Sequence, residues 1–222
     1  MTLREAAERL RAAGIPEPLY EARRLFEAFA HIPLSEQIGR DPSSDDPALC
    51  EALKRRAAHE PLAYLLGEWG FYRETYLLSP DCLIPREDTE LLVEVAIAEL
   101  PAGAYFADLC TGSGCVGLSV LAHTAGTRAL FLDISAGAVE TAKKNAGRLG
   151  LTSRADFLVA DVTAGAADGR FDAILSNPPY IKNSVYPTLS EEVKKEPPRA
   201  FLGGEDGMDF YPAILSHYKN SL

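Results

Sequence analysis

Two stretches of this sequence bring together residue types that can do chemistry. In "ADLCTGSGCVGLS", residues 107–119, glycines stand between an apolar strand-like run and the start of a helical pattern. Backbone N–H groups and the helix dipole at such a turn can hold a nucleotide or a carboxylate. Gly112-x-Gly114-x-x-Gly117 has the dinucleotide-binding spacing, and Asp133 follows about 20 residues on, where a carboxylate can accept from both hydroxyls of a ribose. Asp161 ends a third run, "FLVAD", and can accept from an adenine amino group, with Val162 packed beside the base; a turn or capping role accounts for that acid as well. An adenosine-containing cofactor is expected, and the glycines alone do not say which.

The second stretch is "ILSNPPYIK", residues 174–182, in which an apolar run stops at Asn177-Pro178-Pro179-Tyr180. Two prolines hold φ near -65° and offer no N–H, so the carbonyls beside them point in fixed directions. Asn177 adds a side-chain oxygen, Pro178 a backbone oxygen and Tyr180 a flat ring: two acceptors and a stacking surface for a planar NH2 group. An amide or exocyclic amine nitrogen is a poor nucleophile because its lone pair is delocalised. It needs a reactive electrophile and tight alignment, and alignment alone is worth on the order of 7 kcal/mol in favourable cases. A sulfonium methyl is such an electrophile, and acceptors for both N–H groups stabilise the positive charge that grows as the nitrogen attacks. No strong base is required, and no histidine or carboxylate pair adjoins the motif.

The elements that must position these residues follow from patterning. From Tyr105 onward, strands "YFADLC", "RALFLD", "ADFLVAD" and "FDAILSN" alternate with helices over 114–123 and 135–149. This alternation implies right-handed crossovers and a parallel sheet, an α/β fold. With strands ordered 3-2-1-4, the ligand crevice forms between strands one and four, and the Asn-Pro-Pro-Tyr turn faces the glycine turn. Upstream, Thr2-x-x-Glu5 has capping-box spacing for a helix over 3–13, and Pro16 and Pro18 restart the chain into a second helix with an apolar stripe. "GRDPSSDDP" reads as a loop, and Asp46-Pro47 opens a third helix reaching about His59. "GEWGFYRETYLLS" is aromatic and β-rich, a hairpin, and "IPREDTELLVEVAIAEL" resumes as a helix with acids in its first turn. The expected domains are therefore a helical bundle at 1–66, a hairpin connector at 67–84 and a cofactor-binding domain at 85–222.

Composition narrows the class. The 222 residues carry a net charge of -10, which disfavours non-specific attraction to nucleic acid. No apolar run approaches the ~18 residues of a membrane span, and the acid-bearing N-terminus resembles no targeting peptide, so a cytoplasmic protein is expected. Cys50, Cys82, Cys110 and Cys115 are too scattered for a disulfide framework or zinc, and the four histidines are dispersed, so no metal site is expected. Arg86, in "IPRED", has Glu87 and Glu90 beside it as ion-pair partners.

The chain resembles the class I methyltransferases that use S-adenosylmethionine, and more closely the HemK/PrmC family, which methylates the glutamine of the GGQ motif in peptide chain release factors. "PLAYLLGEWGFY", "LIPREDTELLVE", "DLCTGSGCVGLSV", "SNPPYIK" and "EVKKEPPRAFLGGEDGMDFY" carry the resemblance in order, over nearly the whole chain. It implies a Rossmann-like class I methyltransferase sheet with an N-terminal helical bundle that recognises the release factor. It also implies that Cys110, Thr111, Gly112, Ser113 and Gly114, with Asp133, Asp161, Val162 and Asn177, line S-adenosylmethionine. Asn177, Pro178, Pro179 and Tyr180 then hold the glutamine, with Asn177, Pro178 and Tyr180 catalytic. Cys110 stands where the family pattern most often has glycine. That family continues through further strands, whereas only "YPAILSHYKNSL" follows here, so C-terminal strands are expected to be missing and strand four to be an exposed edge.

Three other readings stay open at this stage. An adenine-N6 methyltransferase acting on DNA or RNA satisfies the same two acceptors, although the acidic charge and the absence of a basic stripe count against it. An NAD-dependent oxidoreductase fits the glycine spacing but leaves the Asn-Pro-Pro-Tyr turn without a purpose. A binding module without catalysis is the third.

Overall fold

A computed structural model describes residues 1–165 and 169–222. The chain forms two compact units, one of Met1–Leu66 with Glu191–Lys195, the other of Gly67–Ser190 with Glu196–Leu222.

The first unit is helical: α1 (Leu3–Ala12), α2 (Pro18–Ala30), α3 (Leu34–Gln37), α4 (Pro47–Ala57) and α5 (Leu62–Leu66). Thr2 and Glu5 close the capping box at α1: the Glu5 N–H donates to Thr2 Oγ1 at 3.2 Å and the Thr2 N–H to Glu5 Oε2 at 2.8 Å. Asp46 caps α4 by accepting from the Ala48 N–H at 2.7 Å. That helix ends at Ala57 rather than near His59, because His59 sits at φ 62, outside the helical region. Leu10, Ala22, Leu25, Phe26, Leu49 and Leu53 are buried without exposure. The Arg56 guanidinium lies among them, held by both oxygens of Glu21, by Glu192 at 2.9 Å and by the Glu60 carbonyl at 3.1 Å. Pairing is what makes a buried guanidinium tolerable.

The second unit opens with an antiparallel hairpin, β1 (Glu68–Phe71) and β2 (Glu74–Leu77), turning through Tyr72 at φ 56. There follow α6 (Glu90–Glu99), β3 (Tyr105–Leu109), α7 (Cys115–His123), β4 (Arg128–Asp133), α8 (Ala136–Arg148), β5 (Ala155–Val159), β6 (Ala173–Ser176) and α9 (Phe210–Tyr218). The four later strands form one parallel sheet in the order β5-β4-β3-β6. This is the Rossmann-like 3-2-1-4 order expected from the sequence, with the chain reversing direction between β3 and β6. Alternate residues serve opposite faces of the sheet. Phe106, Ala129 and Phe131 pack with α6 and α7 through Val93, Val116 and Leu121, while Ala107, Leu109 and Leu132 pack with Val162, Phe171 and Tyr218. Among the described residues β6 pairs with β3 alone.

Arg86 does not pair with Glu87 or Glu90. Its partner is Glu196, whose other oxygen accepts the Ile84 N–H at 2.9 Å, and Glu90 instead accepts the Tyr72 N–H at 2.8 Å. The sequence-near acids lose because Glu87 and Glu90 lie on the turn and helix that follow Arg86, whereas Glu196 is buried and must be compensated.

Candidate active site

The ends of β3, β4 and β6 open onto a cavity of about 300 Å³, within the ~300–1,000 Å³ range of small-molecule sites. Its wall contains Cys110, Thr111, Gly112, Ser113, Asp133, Asp161, Val162, Asn177 and Pro179. The glycine turn and the Asn-Pro-Pro-Tyr turn thus border one space, because β3 and β6 are hydrogen-bonded neighbours with Leu109 opposite Ser176.

The glycine turn is built tightly. Cys110 at φ 59, Gly112 at φ 56 and Gly114 at φ 81 reverse the chain between β3 and α7. Only Gly pays no Cβ penalty there, so Cys110 is held in a strained backbone conformation. Its thiol is pushed up to about 12 by burial first and by nearby acids second, and Cys115 likewise to about 12, so neither is a thiolate at neutral pH.

Asp133 fastens the turn from the next strand. Its Oδ2 accepts the Gly112 N–H at 2.8 Å and its Oδ1 the Ser135 N–H at 2.9 Å. Burial raises its pKa, against the pull of those amides and of the Arg199 charge. Each oxygen keeps a lone pair for a ribose hydroxyl.

Asp161 stands two residues past the end of β5. It lines the cavity and caps a short 3-10 turn, Val162–Ala164, accepting from the Thr163 N–H at 2.8 Å and hydroxyl at 2.7 Å. Val162 is buried against the sheet.

Three residues assigned from the sequence stand off the cavity wall. Gly114 caps α7, and a Cβ there would meet Ala142 of α8 and Leu118 at 3.0 Å, so close packing is what the position requires. Pro178 is buried behind the turn, and Tyr180 stands 55 % exposed next to Pro179. Asn177 faces the cavity with its amide oriented: Nδ2 donates to Thr89 Oγ1 at 3.4 Å, which leaves Oδ1 as the acceptor.

Sequence reasoning missed Asp108, a buried acid of the cavity wall. It is 2 % exposed, and one of its oxygens accepts both the Thr111 hydroxyl at 2.6 Å and the Gly117 N–H at 3.0 Å. A Cβ on Gly117 would strike this carboxylate and the Phe131 ring, so Gly117 serves close approach rather than a turn. Burial pushes Asp108 up to about 6. The signal was an acid inside an otherwise apolar strand. Asn145 was missed as well: it accepts the Leu77 N–H at 2.7 Å and donates to the Leu77 and Ser113 carbonyls, at 3.0 and 2.9 Å, tying the glycine turn to the hairpin.

The charges on the wall bear on what the cavity can take. Asp81, Asp108, Asp133 and Asp161 line the cavity beside Arg86 and Arg199, and Arg86 is already paired with Glu196. Such an acidic wall repels a pyrophosphate and favours a ligand carrying a sulfonium and an ammonium. The residues present fit S-adenosylmethionine: Asp133 for the ribose, Asp161 and Val162 for adenine, acids for the cationic tail. Among the described residues no His, Cys, Asp or Glu group is arranged to hold a metal ion, and no helix is long and apolar enough to cross a membrane.

Comparison with known proteins gives the same picture. The PrmC N-terminal domain model matches residues 2–67, and the methyltransferase small domain model matches residues 87–197. A release factor glutamine methyltransferase of Rhodospirillum rubrum is 41 % identical over 227 residues, covering 96 % of this chain and 70 % of that protein. Those of Moorella thermoacetica and Caulobacter vibrioides are each 37 % identical, over 97 % and 95 % of this chain and 80 % and 76 % of their own lengths. With an acid-lined cavity at the strand ends, Asn177 on its wall and identity that runs through both units, this chain belongs to the release factor glutamine methyltransferase family.

Proposed function

We propose that the chain methylates the side-chain amide nitrogen, N5, of the glutamine in the GGQ motif of peptide chain release factors, with S-adenosylmethionine as donor. The observation that carries this reading is Asn177 on the wall of the same cavity as Gly112 and Asp133, with its Nδ2 donating to Thr89 Oγ1 at 3.4 Å. When bound, S-adenosylmethionine supplies a sulfonium methyl, an electrophile strong enough for an unactivated amide. Asn177 Oδ1 and the Pro178 carbonyl accept the two N–H groups of the glutamine amide and turn its nitrogen toward the methyl. Tyr180, exposed beside them, closes over the amide plane once substrate is present. No base is called for, because the acceptors stabilise the growing charge and the proton leaves to water after transfer.

The helical unit, matched by the PrmC N-terminal domain model, is the proposed docking platform for the release factor, the hairpin at 67–84 the connector, and 85–222 the catalytic domain. A cytoplasmic setting fits Cys50, Cys82, Cys110 and Cys115, which are thiols rather than half-cystines. The cavity's acidic wall argues against NAD, and the net charge of -10 argues against a nucleic acid substrate.

The test is transfer of a labelled methyl group to purified release factor, with N5-methylglutamine identified in the GGQ peptide. Labelling that disappears when that glutamine is replaced supports the proposal. Equal labelling of the replaced protein, or labelling of DNA or RNA instead, refutes it.

A further inference from the structure

The segment Phe201–Asp209, far along the chain from the Asn-Pro-Pro-Tyr turn, is moulded onto its back. Ile181 and Leu202 form a parallel bridge: the Ile181 N–H donates to the Phe201 carbonyl at 2.7 Å and the Gly203 N–H to the Ile181 carbonyl at 2.9 Å. The Asn183 N–H adds a bond to the Gly204 carbonyl at 2.9 Å, and the Asn183 side chain donates to Glu205 Oε1 at 3.2 Å.

Two glycines make this contact close. A Cβ on Gly203 would lie 2.8 Å from both the Pro179 carbonyl oxygen and the Tyr180 Cα, and one on Gly207 would collide with the Tyr180 carbonyl oxygen. Both obstacles are backbone, which cannot swing aside as a side chain can. Gly207 also sits at φ 81, a conformation that disfavours any other residue. The peptide units on either side of Tyr180 are therefore gripped, Pro179–Tyr180 by Gly203 and Tyr180–Ile181 by Gly207. Leu202, within the same segment, lines the cavity.

We infer that Gly203 and Gly207 are positioning residues for methyl transfer: by gripping the backbone of Tyr180 they set where its ring and the preceding proline carbonyls stand relative to the bound cofactor. The inference rests on the proposed function, since it assigns these glycines a part in the same clamp. Neither glycine touches a reacting atom. Their effect falls on alignment, where a displacement of about 1 Å costs on the order of 100-fold in rate.

The experiment compares Gly203→Ala and Gly207→Ala with Gly147→Ala, a helix position where an added Cβ meets nothing within 4 Å. It reads three quantities: S-adenosylhomocysteine affinity, the single-turnover rate of methyl transfer to release factor, and amide hydrogen exchange at Ile181 and Gly203. The expected result is slow exchange at both amides in the unaltered chain. In the two variants exchange is faster and transfer falls on the order of 100-fold, with cofactor affinity within about three-fold, while Gly147→Ala matches the parent. Where either alanine variant does not fold, Asn183→Ala takes its place, with a several-fold loss of transfer at constant cofactor affinity. Unchanged transfer in a folded Gly207→Ala overturns the inference, as does a parallel loss of cofactor affinity, which marks a structural role only. If the unaltered chain methylates no release factor, the proposed function falls, and the grip itself is still judged by whether Ile181 and Gly203 lose their protection.

Discussion

The backbone N–H of Gly112 meets the carboxylate of Asp133 at 2.8 Å, although 21 residues of chain separate them. One side chain thereby fastens the glycine turn, and on the proposed function its remaining lone pairs accept from a ribose.

Asp133→Ala is therefore expected to weaken S-adenosylhomocysteine binding by at least ~100-fold, since it removes the ribose acceptors and leaves the Gly112 and Ser135 amides without their partner; each such loss costs roughly 1–3 kcal/mol. Asp133→Asn, which keeps one oxygen, is expected to lose roughly ten-fold. Calorimetric titration checks both, and unchanged affinity in Asp133→Ala would remove the residue from the cofactor site.

Asp108 predicts a pH dependence. Its folded pKa of about 6 lies above the ordinary 3.8 because the carboxylate is fully buried, so the folded state holds this proton more tightly than the unfolded state does. Its contribution favours folding below about pH 4 and is lost as pH rises through 6. Asp108→Asn keeps an oxygen for Thr111 and Gly117 but no longer titrates. It is expected to equal or exceed the parent in stability at pH 7, with the difference shrinking toward pH 4. Denaturant melts at the two pH values measure this, and a parent that loses ground to the variant on acidification would contradict it.

Much of the architecture was legible in local signals. The capping box at Thr2 and Glu5, the alternation of strands with helices from Tyr105, and the glycines between β3 and α7 each follow from short-range sequence. The crevice followed from topology, because a 3-2-1-4 order leaves one reversal point. What stayed hidden depends on partners far apart in sequence. Glu196 as the mate of Arg86, Asn145 as the tie to Ser113, and Gly203 and Gly207 against Tyr180 are products of tertiary placement. Asp108 was hidden differently, as an acid inside an apolar strand whose purpose shows only once the turn folds back over it. Gly114 shows a further limit of spacing alone: only the fold reveals that this glycine packs closely against Ala142 of α8.

Arg56 is a buried charge of the helical unit. Arg56→Ala strands Glu21, a carboxylate only 8 % exposed, and is expected to destabilise that unit by about 3–5 kcal/mol. Glu192→Gln is expected to cost less than about 1 kcal/mol, because that carboxylate is 36 % exposed and water screens it. Thermal melts compare the two, and equal effects would contradict the assignment of Glu21 as the principal partner.

Asn177→Ala separates binding from chemistry. The variant keeps Asp133, Asp161 and Val162, so its cofactor affinity is expected to stay within about five-fold, while single-turnover transfer drops by about 10²–10³-fold, as when one preorganised transition-state contact is lost. Loss of affinity in step with rate would make Asn177 a cofactor residue rather than part of a clamp.

The most direct measurement is the position of the glutamine in a crystal structure of the chain with S-adenosylhomocysteine and a release factor. The account predicts the glutamine side-chain nitrogen within ~3.2 Å of both Asn177 Oδ1 and the Pro178 carbonyl, with the Tyr180 ring against the amide plane. A glutamine whose oxygen is turned toward Asn177, or one bound away from the Asn-Pro-Pro-Tyr turn, would contradict it.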